Sequence, residues 1–266
     1  MTSEAPPRVQ MITLRIETPD GRLPPAKVAI PDSPMRLADL IPPMQQLCNG
    51  IVGLANRREV NGGATISCHK GCGVCCCQLV PLSPPEAFFL IDFVRAMPSE
   101  RRKQIEARFQ AIRNGMEEKG LIERLREIED TKEHSVLARD YFQMGRTCPF
   151  LEEGACSIHL HRPFACREYN VISPPELCAD PFNNGVKKIR IPKNMTTATA
   201  RLAAELFEVS PMLVPMTLAL EWAVKYVAFG RRTWPGVWLF NRMMEYAAGS
   251  SLESRSPEGS KEEEKR

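Results

Sequence analysis

The feature that most constrains this chain is a run of five cysteines within ten residues, from Cys68 to Cys77, in the sequence CHKGCGVCCC. Spacings of two and three residues let a tight loop turn several thiolates toward one point, and the two glycines of the run can adopt the left-handed backbone angles that such a loop requires. Thiolates are soft ligands that select zinc, copper(I) or iron–sulfur clusters over hard cations. The run therefore predicts a metal site rather than a group of buried structural cysteines.

Four more cysteines follow at spacings too wide for one loop. Folding can still bring them beside the first run, and four thiolates suffice for a closed zinc site or for one [4Fe–4S] cluster. Eight thiols would then make either two sites of four or one site with spare thiols. Cys77 is the weakest candidate, and Cys48, alone on a predicted helix, is interpreted as a buried structural residue. The predicted metal ligands are Cys68, Cys72, Cys75, Cys76, Cys148, Cys156, Cys166 and Cys178.

Ten cysteines in a chain of 266 residues do not indicate a disulfide framework, because such frameworks are typical of small secreted proteins. The start, MTSEAPP, lacks a basic segment followed by an apolar run, and the apolar stretch 212–220 is too short to span a bilayer. We therefore expect a cytoplasmic protein with reduced thiols and no membrane partner. The formal net charge is only +3, with acids and bases mixed, which argues against nucleic-acid binding.

Apolar periodicity predicts a mainly α protein with a small N-terminal β element, an α+β fold in which irregular cysteine-bearing loops pack on helices. Residues 9–18 alternate as a strand, an Asp-Gly pair marks a turn, and 27–30 is the predicted returning strand. A helix is expected over 36–59, with two early prolines breaking or kinking it. Further expected elements are charged amphipathic helices over 99–120 and 121–144 and a short strand over 187–191.

A helix start is predicted at Ser83, where the sequence reads Ser-Pro-Pro-Glu. Ser83 can cap the helix, proline suits the first helical position, and Glu86 can reach back as in a capping box. The same four letters recur from Ser173, which we interpret as a reused helix start.

We expect residues 9–248 to form a single metal-binding domain whose core motif spans 66–180. The flanking segments 1–8 and 249–266 are expected to be disordered. The second of them is charged and has one apolar residue, so burial cannot offset the entropy of ordering it.

Histidines and arginines near the cysteines are further candidates. His69 lies inside the first run and can ligate zinc, whereas His159 and His161 are weak candidates for supporting the ligands, and the roles of all three stay open. Arg162 and Arg167 flank a cysteine, where a cation would offset thiolate charge and raise a cluster's reduction potential or lower a thiol's pKa. A salt bridge unrelated to the cysteines is an equally good interpretation of each arginine.

The order of these motifs resembles a known family. Cys-x3-Cys-x2-Cys-Cys, then Cys-Pro-Phe-Leu, Cys-x-Ile and Arg-Pro-x-x-Cys-Arg are similar to the YkgJ-type CxxCxxCC cysteine-cluster family, a domain described as zinc- or iron-chelating. The first gap is three residues here rather than two, and His159 stands where many members have tyrosine. The resemblance extends from Cys68 to Cys166 and implies that the family's cysteines are Cys68, Cys72, Cys75, Cys76, Cys148, Cys156 and Cys166, with Arg162, Pro163 and Arg167 in its signature.

The spacing of Cys68, Cys72 and Cys75 also matches the radical S-adenosylmethionine motif. Val74 replaces the usual aromatic residue, however, and no βα alternation follows, so this interpretation is disfavoured. We expect an iron–sulfur cluster, with a zinc or iron ion as the alternative, because nearly all candidate ligands are cysteine.

Three functions remain open from the sequence. The first is a metal-binding protein for redox, storage or assembly, acting with a protein partner or substrate. The second is a metal-dependent enzyme, for example one that methylates a protein side chain, since some proteins related to the family resemble a flagellin lysine methylase. The third is a structural zinc protein, in which four protein ligands fill the coordination sphere of the zinc and hold the loops together.

Overall fold

A computed structural model describes residues 8–127 and 131–249 of the chain. The tails 1–8 and 249–266, expected to be disordered, lie outside the described residues except for Arg8 and Gly249. The helices are α1 Ile41–Asn61, α2 Pro84–Arg95, α3 Ser99–Glu118, α4 Leu121–Glu127, α5 Thr131–Gln143, α6 Phe164–Glu168, α7 Met195–Phe207, α8 Ala219–Lys225, α9 Val227–Gly230 and α10 Gly236–Ala248. The strands are β1 Val9–Leu14, β2 Glu17–Thr18, β3 Gly21–Arg22, β4 Ala26–Pro31, β5 Pro34–Arg36, β6 Pro81–Leu82, β7 Leu151–Glu152, β8 Ala155–Cys156, β9 Val214–Pro215 and β10 Thr233–Pro235.

The predicted fold class is confirmed, since helices dominate and the strands form small antiparallel pairs. At the N-terminus β1 pairs with β4, with Val9 opposite Pro31, and β2 pairs with β3. Gly21 begins β3 at a φ of +127°, a backbone angle that residues with a side chain rarely adopt. The glycine of the predicted Asp-Gly turn meets this requirement. The pairing of β5 with β10, which the sequence analysis did not anticipate, joins this N-terminal part to the last helix.

The largest hydrophobic core lies between α1, α7 and α10. Helix α1 contributes Met44, Leu47 and Ile51, which recur at helical spacing and are buried. The stretch expected as a helix over 36–59 is interrupted early, as predicted, since the α-helix begins only at Ile41, beside the two prolines. A 3₁₀ turn over Leu37–Leu40 precedes α1, and Pro42 falls in its first turn, where backbone N–H groups have no intrahelical partner to lose.

Helix α2 begins as the sequence predicts. The Glu86 carboxylate accepts hydrogen bonds from the backbone N–H of Ser83 at 2.9 Å and from the Ser83 hydroxyl at 2.8 Å. Its other oxygen accepts the backbone N–H of Phe164 at 2.8 Å. This buried carboxylate therefore joins the start of α2 to the start of α6, the short helix that carries Cys166.

Two other predicted elements form differently. The strand expected over 187–191 is reduced to a single antiparallel bridge between Val171 and Lys188, because its partner is an irregular loop. The second Ser-Pro-Pro-Glu leads only into a 3₁₀ helix, Pro175–Ala179, and the Ser173 hydroxyl accepts the backbone N–H of Lys187 instead of capping. The helix expected over 121–144 is present as α4 and α5, on either side of residues 128–130.

Within the described ranges, no helix combines the length and the apolar character needed to cross a lipid bilayer.

Candidate metal centre

The first cysteine run folds as a series of tight turns. The backbone N–H of Cys72 donates to the carbonyl oxygen of His69 at 3.1 Å, and the backbone N–H of Cys76 donates to the carbonyl oxygen of Gly73 at 3.0 Å. Gly73 packs directly on the turn between β7 and β8, since a Cβ added there would lie 2.5 Å from the carbonyl oxygen of Gly154. The loop therefore needs a residue without a side chain at this position in order to approach the second cysteine segment.

Backbone hydrogen bonds hold the two cysteine segments together. The N–H of Cys148 donates to the carbonyl of Cys76 at 2.6 Å. At the other end of the first run, the N–H of Ser67 donates to the carbonyl of Val171 at 3.0 Å, and the N–H of Val171 lies 3.4 Å from the sulfur of Cys68. The wide gaps in sequence are thus closed by contacts at both ends of the run.

All eight predicted ligands line two adjoining cavities between these segments. The smaller, of about 140 Å³, is lined by cysteines 72, 75, 76, 148, 156 and 166. The larger, of about 320 Å³, is lined by cysteines 68, 72, 75, 166 and 178. Cys72, Cys75 and Cys166 thus form a shared wall, whereas Cys48 and Cys77 line neither cavity.

The two excluded cysteines have separate environments. Cys48 is buried in the helical core, with its sulfur 3.9 Å from the Glu168 carboxylate. The sulfur of Cys77 points back to the carbonyl of Val74 at 3.4 Å. The interpretation of Cys48 as a buried residue is confirmed, and Cys77 is the one cysteine of its run that lines neither cavity.

The cavity walls offer soft ligands. They contain eight cysteines and the imidazoles of His69 and His159, and no Asp or Glu lines either cavity. Hard cations such as magnesium and calcium prefer carboxylate oxygens, so this ligand set fits zinc or iron–sulfur chemistry. Within the described residues, no three His, Cys, Asp or Glu side chains converge on a single point that would hold one ion. The thiols surround a space instead.

Burial and neighbouring sulfur raise the pKa of several lining thiols, among them Cys75, Cys148 and Cys166. The pKa of Cys75 is raised by its contact with Cys76 and by burial. Burial raises the pKa of Cys148 to about 12 and raises the pKa of Cys166 well above the usual value of a thiol. Since metals bind thiolates, loading these cavities must release protons.

The structure separates the two arginines that the sequence treats alike. Arg167 is 3% exposed and donates to the carbonyl of Leu160, to the carbonyl of Arg162 at 2.8 Å and to the side-chain oxygen of Asn49 at 2.7 Å. It lines neither cavity. Arg162 lines both, and its Nη1 lies 3.1 Å from the Nε2 of His159. Arg167 therefore holds the loop, whereas Arg162 faces the cysteines.

The histidines are also distinguished. His69 and His159 line both cavities. Burial, followed by the charge of Arg162, lowers the pKa of His159 and favours its neutral, metal-competent form. His161 instead packs beside the ring of Phe93, with centroids 4.7 Å apart, and lines neither cavity.

Among the polar residues at the site, Gln78 is the one that carried no signal in the sequence. The Nε of Arg162, the Nε2 of Gln78 and the hydroxyl of Tyr169 are buried without a hydrogen-bond partner of acceptable geometry, although Gln78 and Cys178 lie close enough to influence the pKa of Tyr169. All three side chains line the smaller cavity. Glu168 lines neither, and its carboxylate accepts the backbone N–H of Met195 at 2.7 Å, as a structural residue would.

The resemblance to a cysteine-cluster family is confirmed. The sequence model of the CxxCxxCC family, described as a "putative zinc- or iron-chelating domain", matches residues 67–190. That range includes all eight predicted cysteine ligands, both arginines and Gln78. No curated protein and no solved structure matches the chain.

Proposed function

We propose that this chain binds iron in iron–sulfur form in the two adjoining cavities, with ligands drawn from the eight lining cysteines. The observation that carries the proposal is the placement of those eight thiols around one pair of cavities, with the two other cysteines outside. The matching family domain supports the coarser statement that the region chelates zinc or iron.

The number and spread of the thiols favour a cluster over a single zinc ion. Zinc–sulfur bonds of about 2.3 Å in tetrahedral geometry hold thiolates ~3.8 Å apart, and four ligands close the site. Here six cysteines line the smaller cavity alone, which is two more than a closed zinc site takes. A cluster fills such a space and takes its ligands from cysteine.

The buried donors also support an anionic cluster. Arg162 leaves its Nε without a partner at the cavity wall, and Gln78 and Tyr169 lie close to each other there without a well-formed hydrogen bond. Hydrogen bonds to cluster sulfur and to thiolate would satisfy these groups, and such bonds are among the means by which proteins set cluster potentials. All ten cysteines are free of disulfides, as a reducing compartment such as the cytoplasm would keep them.

The test is metal and acid-labile sulfide analysis, with a visible absorption spectrum, on full-length protein purified without oxygen. We expect iron and sulfide in equal amounts and a brown chromophore. Four irons per chain would indicate one [4Fe–4S] cluster, and eight would indicate that each cavity holds one. Colourless protein that carries zinc and no sulfide would contradict the cluster and leave the structural zinc function.

A further inference from the structure

Arg162 brings a positive charge to the cysteine cavities that no carboxylate there balances. It lines both cavities, and neither has an Asp or Glu in its wall. Its buried Nε has no hydrogen-bond partner, and its Nη1 lies 3.1 Å from the imidazole Nε2 of His159. Arg162 is half-buried, and a cation partly withdrawn from water is stabilised by a nearby anion, which a cysteine thiolate can supply at these walls.

The position of Arg162 is imposed by the core. Its carbonyl oxygen accepts hydrogen bonds from the side chain of Gln45 at 3.3 Å and from Arg167 at 2.8 Å. Both donors are buried, at 4% and 3% exposure. Two buried side chains thus fix the backbone of this residue, and its half-buried side chain lies in the wall of both cavities.

We propose that Arg162 is a positioning residue of the metal centre, whose guanidinium donates hydrogen bonds to the bound thiolates and offsets their negative charge. This inference rests on the proposed metal binding. A cation at this place stabilises the deprotonated ligands, so it slows metal loss. If the centre is redox-active, the same cation also favours the reduced, more negative state and raises the reduction potential.

The experiment compares Arg162→Gln, Arg162→Lys and Arg242→Gln in the full chain. Arg242 is the matched control, because its guanidinium is ion-paired with Glu205 on the distant pair of helices α7 and α10. Circular dichroism first establishes that each variant is folded. Metal transfer to a chelator is then measured for every protein, and a redox titration is added when the centre contains iron.

We expect Arg162→Gln to weaken metal retention ~10-fold or more, as loss of groups that support metal ligands commonly does. Its ratio of reduced to oxidised centre at a fixed potential should also fall ~10-fold, which is a shift of ~59 mV for one electron. Arg162→Lys keeps the positive charge but loses the planar guanidinium donor. Its centre should therefore have a reduction potential close to that of the wild type, and it should lose metal faster than Arg242→Gln does.

Retention and potential that match the wild type in both Arg162 variants would overturn this proposal and leave the metal-binding proposal intact. A wild-type protein that carries no metal would overturn the metal-binding proposal itself, and the role of Arg162 with it. If Arg162→Gln fails to fold, the decision rests on Arg162→Lys, whose metal loss must exceed that of the control. If the metal is zinc, the chelator measurement alone decides.

Discussion

The backbone N–H of Cys148 donates to the carbonyl of Cys76 across 2.6 Å, and so joins two segments that lie more than seventy residues apart in the chain. Each segment alone offers an incomplete set of thiols, since the smaller cavity takes cysteines from both. The two segments must therefore dock before the predicted ligands face a common space.

The first prediction concerns which cysteines matter for metal binding. Cys148→Ser and Cys166→Ser should each lose at least half of the bound iron, because a hydroxyl is a poor substitute for a soft thiolate ligand. Cys77→Ser is the matched control, since Cys77 belongs to the same run but lines neither cavity. Metal analysis of the three purified variants is the measurement. Iron loss in Cys77→Ser equal to that in Cys148→Ser would refute the ligand set.

The second prediction concerns the docking of the first loop. In Gly73→Ala, the new Cβ would lie 2.5 Å from the backbone oxygen of Gly154, and backbone cannot yield as a flexible side chain can. Overpacking of this kind typically costs about 1–3 kcal/mol, so we expect lower stability in urea and reduced metal content.

Gly53→Ala is the control for this substitution. Gly53 lies within α1 in the wall of the larger cavity, where a Cβ would meet only the flexible end of Arg57 at 3.6 Å, so this substitution adds the same methyl group at the site without a clash with backbone. Alanine also favours a helix over glycine, so the control should be neutral or slightly stabilising. Equal metal content in Gly73→Ala and Gly53→Ala would show that the loop reaches the cavities without this close approach.

The third prediction is a pH dependence of stability from a buried carboxyl. Burial raises the pKa of Glu86 to about 7, against the hydrogen bonds from Ser83 and Phe164 that lower it. The folded state therefore binds this proton more tightly than the unfolded chain, whose carboxyl has an ordinary value near 4.5. The stabilisation is fully present below pH ~4.5, and it is lost as pH rises through ~7, by at most about 3 kcal/mol.

Urea unfolding of metal-free protein between pH 5 and pH 8 measures this effect. The decline should be shallower in Glu86→Gln and unchanged in Glu100→Gln, whose side chain is exposed. Some decline should remain in Glu86→Gln, because burial also raises the pKa of Glu168 to about 7. A slope in Glu86→Gln identical to that of the wild type would assign the dependence to other groups.

The fourth prediction separates a functional metal from a structural one. The core between α1, α7 and α10 contains few residues of the cysteine segments, so removal of the metal should leave most of the helical circular dichroism signal. Loss of that signal on chelation would favour the structural zinc function, in which metal binding and folding are one process.

The local features of the fold could be predicted from the sequence because their causes are local. The Ser83 and Glu86 capping contacts are three residues apart, and the first strand pair is joined by a turn whose glycine accepts a positive φ. The expected strand over 187–191 failed because strand formation depends on a partner, and the partner at Val171 is an irregular loop.

The arrangement of the site could be predicted only in part. Cysteine spacing identified the residues, but it could not show that they surround two cavities or that Cys77 turns away from them. Arg162 and Arg167 both flank Cys166 in the motif, and the motif alone assigns them the same role. Their different environments depend on two side chains of α1, which lie more than a hundred residues earlier in the chain. Asn49 accepts a hydrogen bond from Arg167, and Gln45 donates one to the backbone carbonyl of Arg162.

The pairing of β5 with β10 has a topological consequence. Arg36 lies opposite Thr233, so the two-stranded pair joins a point near the start of the chain to a point near its end. The helical core packs behind this pair and strengthens the connection. In sequence, every predicted cysteine ligand falls between these two paired strands. A single protease cut within the cysteine loops would therefore yield two fragments that stay associated through the β5–β10 pair and the helical core. The cut protein would migrate as one species under native conditions and as two fragments under denaturing conditions.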